Sequence, residues 1–222
     1  MPVRFIPRLL LLVSGLCVLS FGVALSIRSN LGTSPISSVP YAFSHIVALS
    51  VGTLTIIHHI IMILLQMLIL GKKFQWIQWL QLPVGMAFGF FIDTTLWLTQ
   101  SWMIESYFIQ LAFCLLSCLF TAIGVCMILR AGLIYLAAEG LFFACAERFN
   151  KSFGFCKTTG DISLVLIAVI SSYLYLHEVV GVREGTVITA LLVGSMVKLL
   201  MPYFHFLDFT QNKSKEISKH AS

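Results

Sequence analysis

The chain has 222 residues, 59% hydrophobic and 10% charged, with a mean hydropathy of +0.96 and a formal net charge of +5. A soluble domain carries roughly 25% charged residues, so a soluble enzyme and a nucleic-acid binder are both excluded. The lipid bilayer is the first partner, and the positive balance needs a membrane explanation.

Each crossing of about 30 Å of hydrocarbon takes about 20 apolar residues. Runs of that kind lie at 8–27, 50–70, 80–99, 107–129, 159–177 and 184–203. The first follows Arg4 and Arg8, as a cleavable signal peptide would. It continues through Leu25, however, and an equivalent run recurs before Arg130, so it reads as a retained span. Between the first two spans, residues 31–48 (LGTSPISSVPYAFSHIVA) are too polar to cross and too apolar for a solvated loop. Thr33 or Ser34 is placed to cap a half-helix opening at Pro35. The second span carries His58 and His59. The third carries Asp93 and ends near Trp97 and Trp102, an aromatic belt opposite Trp76 and Trp79. After the fourth, residues 133–147 form a second short segment that holds Glu139 and Gly140. Asp161 follows Gly160 at the expected start of the fifth span, and Arg183 and Glu184 precede the sixth. The tail from Gln211 to Ser222 is polar and basic.

Gly22-Val23 set over Gly124-Val125 puts Arg28 over Arg130, Leu31 over Leu133 and Ala42 over Ala144; after a small insertion Gly89 falls on Gly194 and Asp93 on Lys198. Three spans per half is an odd number, so the second half enters the membrane from the opposite side. The expected fold is therefore an all-α membrane protein: six transmembrane helices as two inverted three-helix repeats, with a short re-entrant or interfacial segment after helices 1 and 4. The repeats occupy residues 1–104 and 105–205, and 206–222 form a cytoplasmic tail. Twelve of the 14 Lys and Arg residues fall on one side of this layout, against Arg28 and Arg183 on the other. That bias predicts that both termini lie in the cytoplasm.

The runs LGTSPISSVPYAFS, LPVGMAFGFFID and GVREGTVITALLVG resemble the YitT/YczE type of bacterial integral membrane proteins over roughly residues 8–203. The resemblance implies a membrane location and a six-span type rather than an activity. Where that pattern has Pro-Gly-Asp, this chain reads Ala137-Ala138-Glu139, which keeps an acid and loses the helix breaker.

Ionisable groups inside spans cost about 2.5–3.5 kcal/mol on insertion scales, so each is a functional candidate. Arg28, Ser34, Pro35, His58 and Glu139 are the expected substrate-binding residues. Arg28 supplies counter-charge, Ser34 and Pro35 shape a half-helix terminus, and Glu139 is the switchable acid, protonated or paired with Arg130 or Arg28 if buried. Of the adjacent His58 and His59, at most one should face a cavity, and a histidine bonded between helices is the plainer reading. Asp93, Asp161 and Glu184 are gating or structural alternatives: an outer anchor, a cap or a partner of Lys157, and a cap or lid. The six cysteines show no metal-ligand spacing, and no nucleophile–base arrangement is visible, so no metal, cofactor or catalysis is expected. The expected function is transport or binding of a small solute, an anion among the candidates, at the interface of the two inverted repeats. The alternatives are a scaffold or regulator acting through a protein partner, and a substrate-capture subunit of a larger transporter.

Overall fold

The computed structural model describes residues 5–207, so Arg4 and the basic tail lie outside the described residues. Eight α-helices follow one another: α1 (Phe5–Arg28), α2 (Pro35–Ser44), α3 (Val51–Leu70), α4 (Gln81–Leu98), α5 (Tyr107–Ala131), α6 (Ala137–Phe149), α7 (Phe153–Leu176) and α8 (Glu184–Leu200). Five of them, α1, α3, α5, α7 and α8, are long and apolar enough to cross a membrane. The chain is thus all-helical among its described residues and built as a multi-pass membrane protein. The fourth helix lies where a third span is expected, but Gln81, Asp93, Thr94 and Thr95 leave its 18 residues less apolar than the other five. The seventh begins earlier than the expected 159. Ser152 caps it, accepting from the Phe155 N–H, and the turn that carries Lys157 belongs to the helix.

The centre is the α1–α5 pair, with α4 on the α1 side and α8 on the α5 side. Of the most apolar stretch of α1, 61% is buried, against 11% for α7 and 6% for α8, so α1 is the core helix and the last two are peripheral. Leu11, Leu12, Leu16 and Leu19 meet Phe88 and Ile92 of α4 and Ile128 of α5. Small residues set the closeness of the pair. A Cβ on Gly22 would lie 2.6 Å from Thr121 Oγ1, and one on Gly124 would lie 2.7 Å from the Leu19 N atom. Each glycine faces the stretch of the other helix that corresponds to its own neighbours: Gly22 sits over Ser117 and Thr121, and Gly124 over Gly15 and Leu19.

The same correspondence runs outward. Arg28 donates to Leu96 O (2.8 Å) at the end of α4, and Arg130 donates to Met201 O (2.8 Å) at the end of α8. A cation at a helix C-terminus meets unpaired carbonyls and the negative end of the dipole. Across the halves α2 packs on α7 and α3 packs on α6. One pairing has no counterpart: α3 packs closely on α4, whereas α7 and α8 make no comparable contact.

Candidate functional site

The two short helices define the interior. Pro35 opens α2 with its fixed φ, and Ser34 caps it, accepting from the Ser37 N–H; the Ser34 and Ser37 hydroxyls also bond at 3.1 Å. For α6 the break comes earlier than the missing Pro-Gly, because Gly132 ends α5 in the left-handed region (φ 56°). Both helices bury their N-terminal ends and expose their C-terminal ones. Pro35 and Ser38 are buried where His45 is exposed, and Ala137 and Ala138 are buried where Glu147 and Arg148 are exposed. The two buried ends share one cluster, in which Ile36, Ala137 and Ala138 pack with Met62 and Ile63 of α3.

Glu139 is the third residue of α6, and its Oε2 is shielded with no hydrogen-bond partner among the described residues. Its charged neighbours are Lys157 and Asp161 of α7. Lys157 Nζ donates to Asp161 Oδ2 at 2.9 Å, while Asp161 Oδ1 is buried with no partner. The ammonium also lies over the Phe142 ring, 5.5 Å from its centroid, and that ring occupies the space a side chain at Gly160 would need. Two expectations are corrected here. Glu139 neighbours Lys157 rather than pairing with Arg28 or Arg130, which are held at helix ends. Asp161 does not cap α7; it lies two turns inside the helix, where the i, i+4 spacing to Lys157 makes the ion pair.

The remaining expected residues do not converge on Glu139. Arg28 closes the end of α4 through Leu96 O and Thr99 Oγ1 (3.3 Å). His58 and His59 are both buried, at 8% and 2% exposure, where α3 packs on α2, α4 and α6. Neither Nδ1 has a hydrogen-bond partner among the described residues, so no bond from these atoms ties the helices. His59 stacks on Phe88 at 5.9 Å, and its ring fills the space left by Gly85. Asp93 is a sharper anchor than expected: it accepts from Ser50 Oγ (2.6 Å) and from the Gly52 N–H (2.7 Å), so α4 caps the N-terminus of α3. Glu184 is the exposed first residue of α8, beside Arg183 at 3.2 Å.

A family of unknown function, DUF6198, matches residues 6–202. The chain belongs to DUF6198. No curated protein and no solved structure matches it.

Two features of this DUF6198 member escaped the sequence reading. Gln66 and Gln81 are fully buried and bond reciprocally at 2.9 and 3.1 Å, and Gln66 Nε2 also donates to Ala137 O (2.9 Å) at the start of α6. Gly140 makes room for both amides. The signal was present, since Gln66 is the lone polar side chain between Ile60 and Leu70 of α3. The second feature is a pair of cavities. One, of about 270 Å³, is lined by Tyr41, His45, Glu178 and Arg183 among others. The other, of about 300 Å³, is lined by Lys73, Glu147 and Arg148 with the end of α3. His45 and Glu147 hold corresponding places at the ends of the two short helices.

Proposed function

We propose that the protein moves or binds a small polar solute at the interface of two inverted three-helix repeats, residues 1–104 and 105–205, with α4 as the sixth span. The observation that carries the reading is the meeting of the buried N-terminal ends of α2 and α6 on one cluster. Helices too short to cross, dipping to a shared interior point, are the broken-helix arrangement by which transporters form a site between repeats. Such an end offers free N–H groups and partial positive charge, which suits an anionic group on the solute. The matched contacts of Gly22 with Gly124 and of Arg28 with Arg130 support the inverted relation. The two cavities, one beside each short helix, serve in this reading as vestibules of the alternating states. The loop charges support an orientation with both termini in the cytoplasm, and the motif resemblance a bacterial cytoplasmic membrane. Catalysis, a metal and a cofactor have no part in it. Kinship with the YitT/YczE type is proposed on the motifs alone, and a profile comparison between that type and DUF6198 tests it.

The test of transport is thermal stabilisation of the purified protein against a panel of small anions and metabolites, followed by counterflow in proteoliposomes with any hit. A ligand at 100 times its Kd adds about 2.7 kcal/mol. A hit that also exchanges across the bilayer supports transport. A hit without exchange points to a substrate-capture subunit. A silent panel from a folded sample favours the second reading, a scaffold for a protein partner, which the open faces of Gly154 and Gly194 recommend.

A further inference from the structure

The Glu139–Lys157–Asp161 cluster holds one more carboxyl than ammonium. Lys157 and Asp161 satisfy each other at 2.9 Å. That leaves Glu139 Oε2 and Asp161 Oδ1, both shielded from solvent and both without a donor. A carboxylate removed from water without a partner is among the most costly groups a protein can hold. The deficit is one positive charge, and two shielded oxygens lack a donor among the described residues. The two cavities are lined by other residues, and among small cations a proton requires no cavity and supplies a donor as well as a charge.

We propose that Glu139, set beside the Lys157–Asp161 ion pair, is a site for a single exchangeable proton, occupied at neutral pH. In the transport reading, on which this builds, the coupling ion is then H⁺. Binding transfers one proton from water to the Glu139 carboxylate, and release returns it; no covalent bond elsewhere changes. The surroundings are specific. Of the helices that pack on α6, α7 contributes Lys157 and Asp161, α3 carries His58 and His59, and α4 carries Asp93, already bound to Ser50 and Gly52. On α6 itself, Glu147 is paired with Lys73 at 2.9 Å near the exposed end, beside Arg148.

Infrared spectroscopy of the full chain in lipid nanodiscs tests the site directly, with or without a known solute. The wild type at neutral pH should show a protonated-carboxyl band that downshifts on side-chain ¹³C labelling of glutamate. The band should vanish in Glu139→Gln and at strongly alkaline pH, and Asp161→Asn should move it. Because the isotope shift is read on the wild type, a variant that fails to fold does not leave the question open. A neutral-pH spectrum with no such band overturns the proposal, as does a band that ignores the glutamate label or persists in a folded Glu139→Gln. This outcome is separable from transport: a band with a silent solute panel keeps the proton site and removes the transport reading, and the reverse removes only the proton site.

Discussion

In the first half α3 and α4 are locked together; in the second, their counterparts α7 and α8 stand apart. The register that pairs Ser34 with Leu136 also pairs Ser50 with Ser152 and Gly52 with Gly154, while Gly89 falls on Gly194 and Asp93 on Lys198. Three of these features persist across the halves: a serine cap and two glycines. In the first half a Cβ on Gly89 would lie 2.6 Å from Gly52 O, so the backbones touch, and Asp93 binds the N-terminal donors of α3. In the second half neither Gly154 nor Gly194 has any atom near its missing side chain. We attribute the difference to charge, which the Lys198 substitution below tests. A carboxylate at the α4 position attracts the positive N-terminus of α3, whereas an ammonium at the α8 position is repelled by the N-terminus of α7. The comparison teaches that glycines permit a close helix crossing and that an oriented charge decides whether it forms.

The strongest break of that comparison is steric. Gly89→Leu should cost about 3 kcal/mol or more in thermal unfolding of the detergent-solubilised protein, because it drives a side chain into the Gly52 carbonyl and Ile56. Gly194→Leu should stay within about 0.5 kcal/mol, since its space is open. Equal losses at both sites would mean that α7 and α8 are closed in solution.

Next comes the cap. Asp93→Ala removes the acceptor for the Gly52 N–H and the Ser50 hydroxyl and should lower stability by about 1–3 kcal/mol. Asp93→Asn, which keeps an acceptor oxygen, should lose less, and the same melting experiment ranks the two.

The amide pair offers a third test. Gln66→Leu leaves Gln81 buried and unpaired, so it should cost about 1–3 kcal/mol. Adding Gln81→Leu should return part of that loss, a non-additivity read by a double-mutant cycle. The matching places in the second half, Ala168 and Thr186, share no such amide pair; the Thr186 hydroxyl instead accepts from the Arg183 N–H (3.3 Å) at the start of α8.

The smallest stability effect, and the most informative one, is Lys198→Asp. Restoring the first half's charge should draw α8 toward the N-terminus of α7. With the natural cysteines replaced, oxidation of a Gly154→Cys, Gly194→Cys pair should then rise several-fold over the Lys198 background. An unchanged yield would assign the gap to something other than charge.

Much of the architecture was legible because a helix that meets lipid must be apolar for its whole length. Expected span boundaries agree with the helices within a few residues except at α7, where Gly154, Lys157 and Gly160 masked a helix that Ser152 had already capped. Ser34 and Pro35 announced α2 because a hydroxyl cap and a fixed φ act within four residues of chain. The functional constellation was legible only in part. Glu139 was singled out by its isolation in an apolar stretch, but its neighbours come from α7, and nothing local distinguishes Lys157 from Arg130 as the nearby cation. Arg28 looked like a counter-charge because a lone cation at a span end resembles one; its partner, the end of α4, is distant in sequence.

By itself, then, the sequence determined the all-helical membrane class, the placing of five long apolar helices and the two short interruptions, since each follows from residue type and period along one segment. Only the tertiary structure decided which acid meets which base, that both histidines are enclosed, and that one half closes its last helix pair while the other leaves it open. Those outcomes depend on energies shared between segments far apart in the chain. A carboxylate on one helix is an anchor when it meets a helix N-terminus, as Asp93 does, and an unsatisfied acid when it is buried away from any donor, as Glu139 Oε2 is.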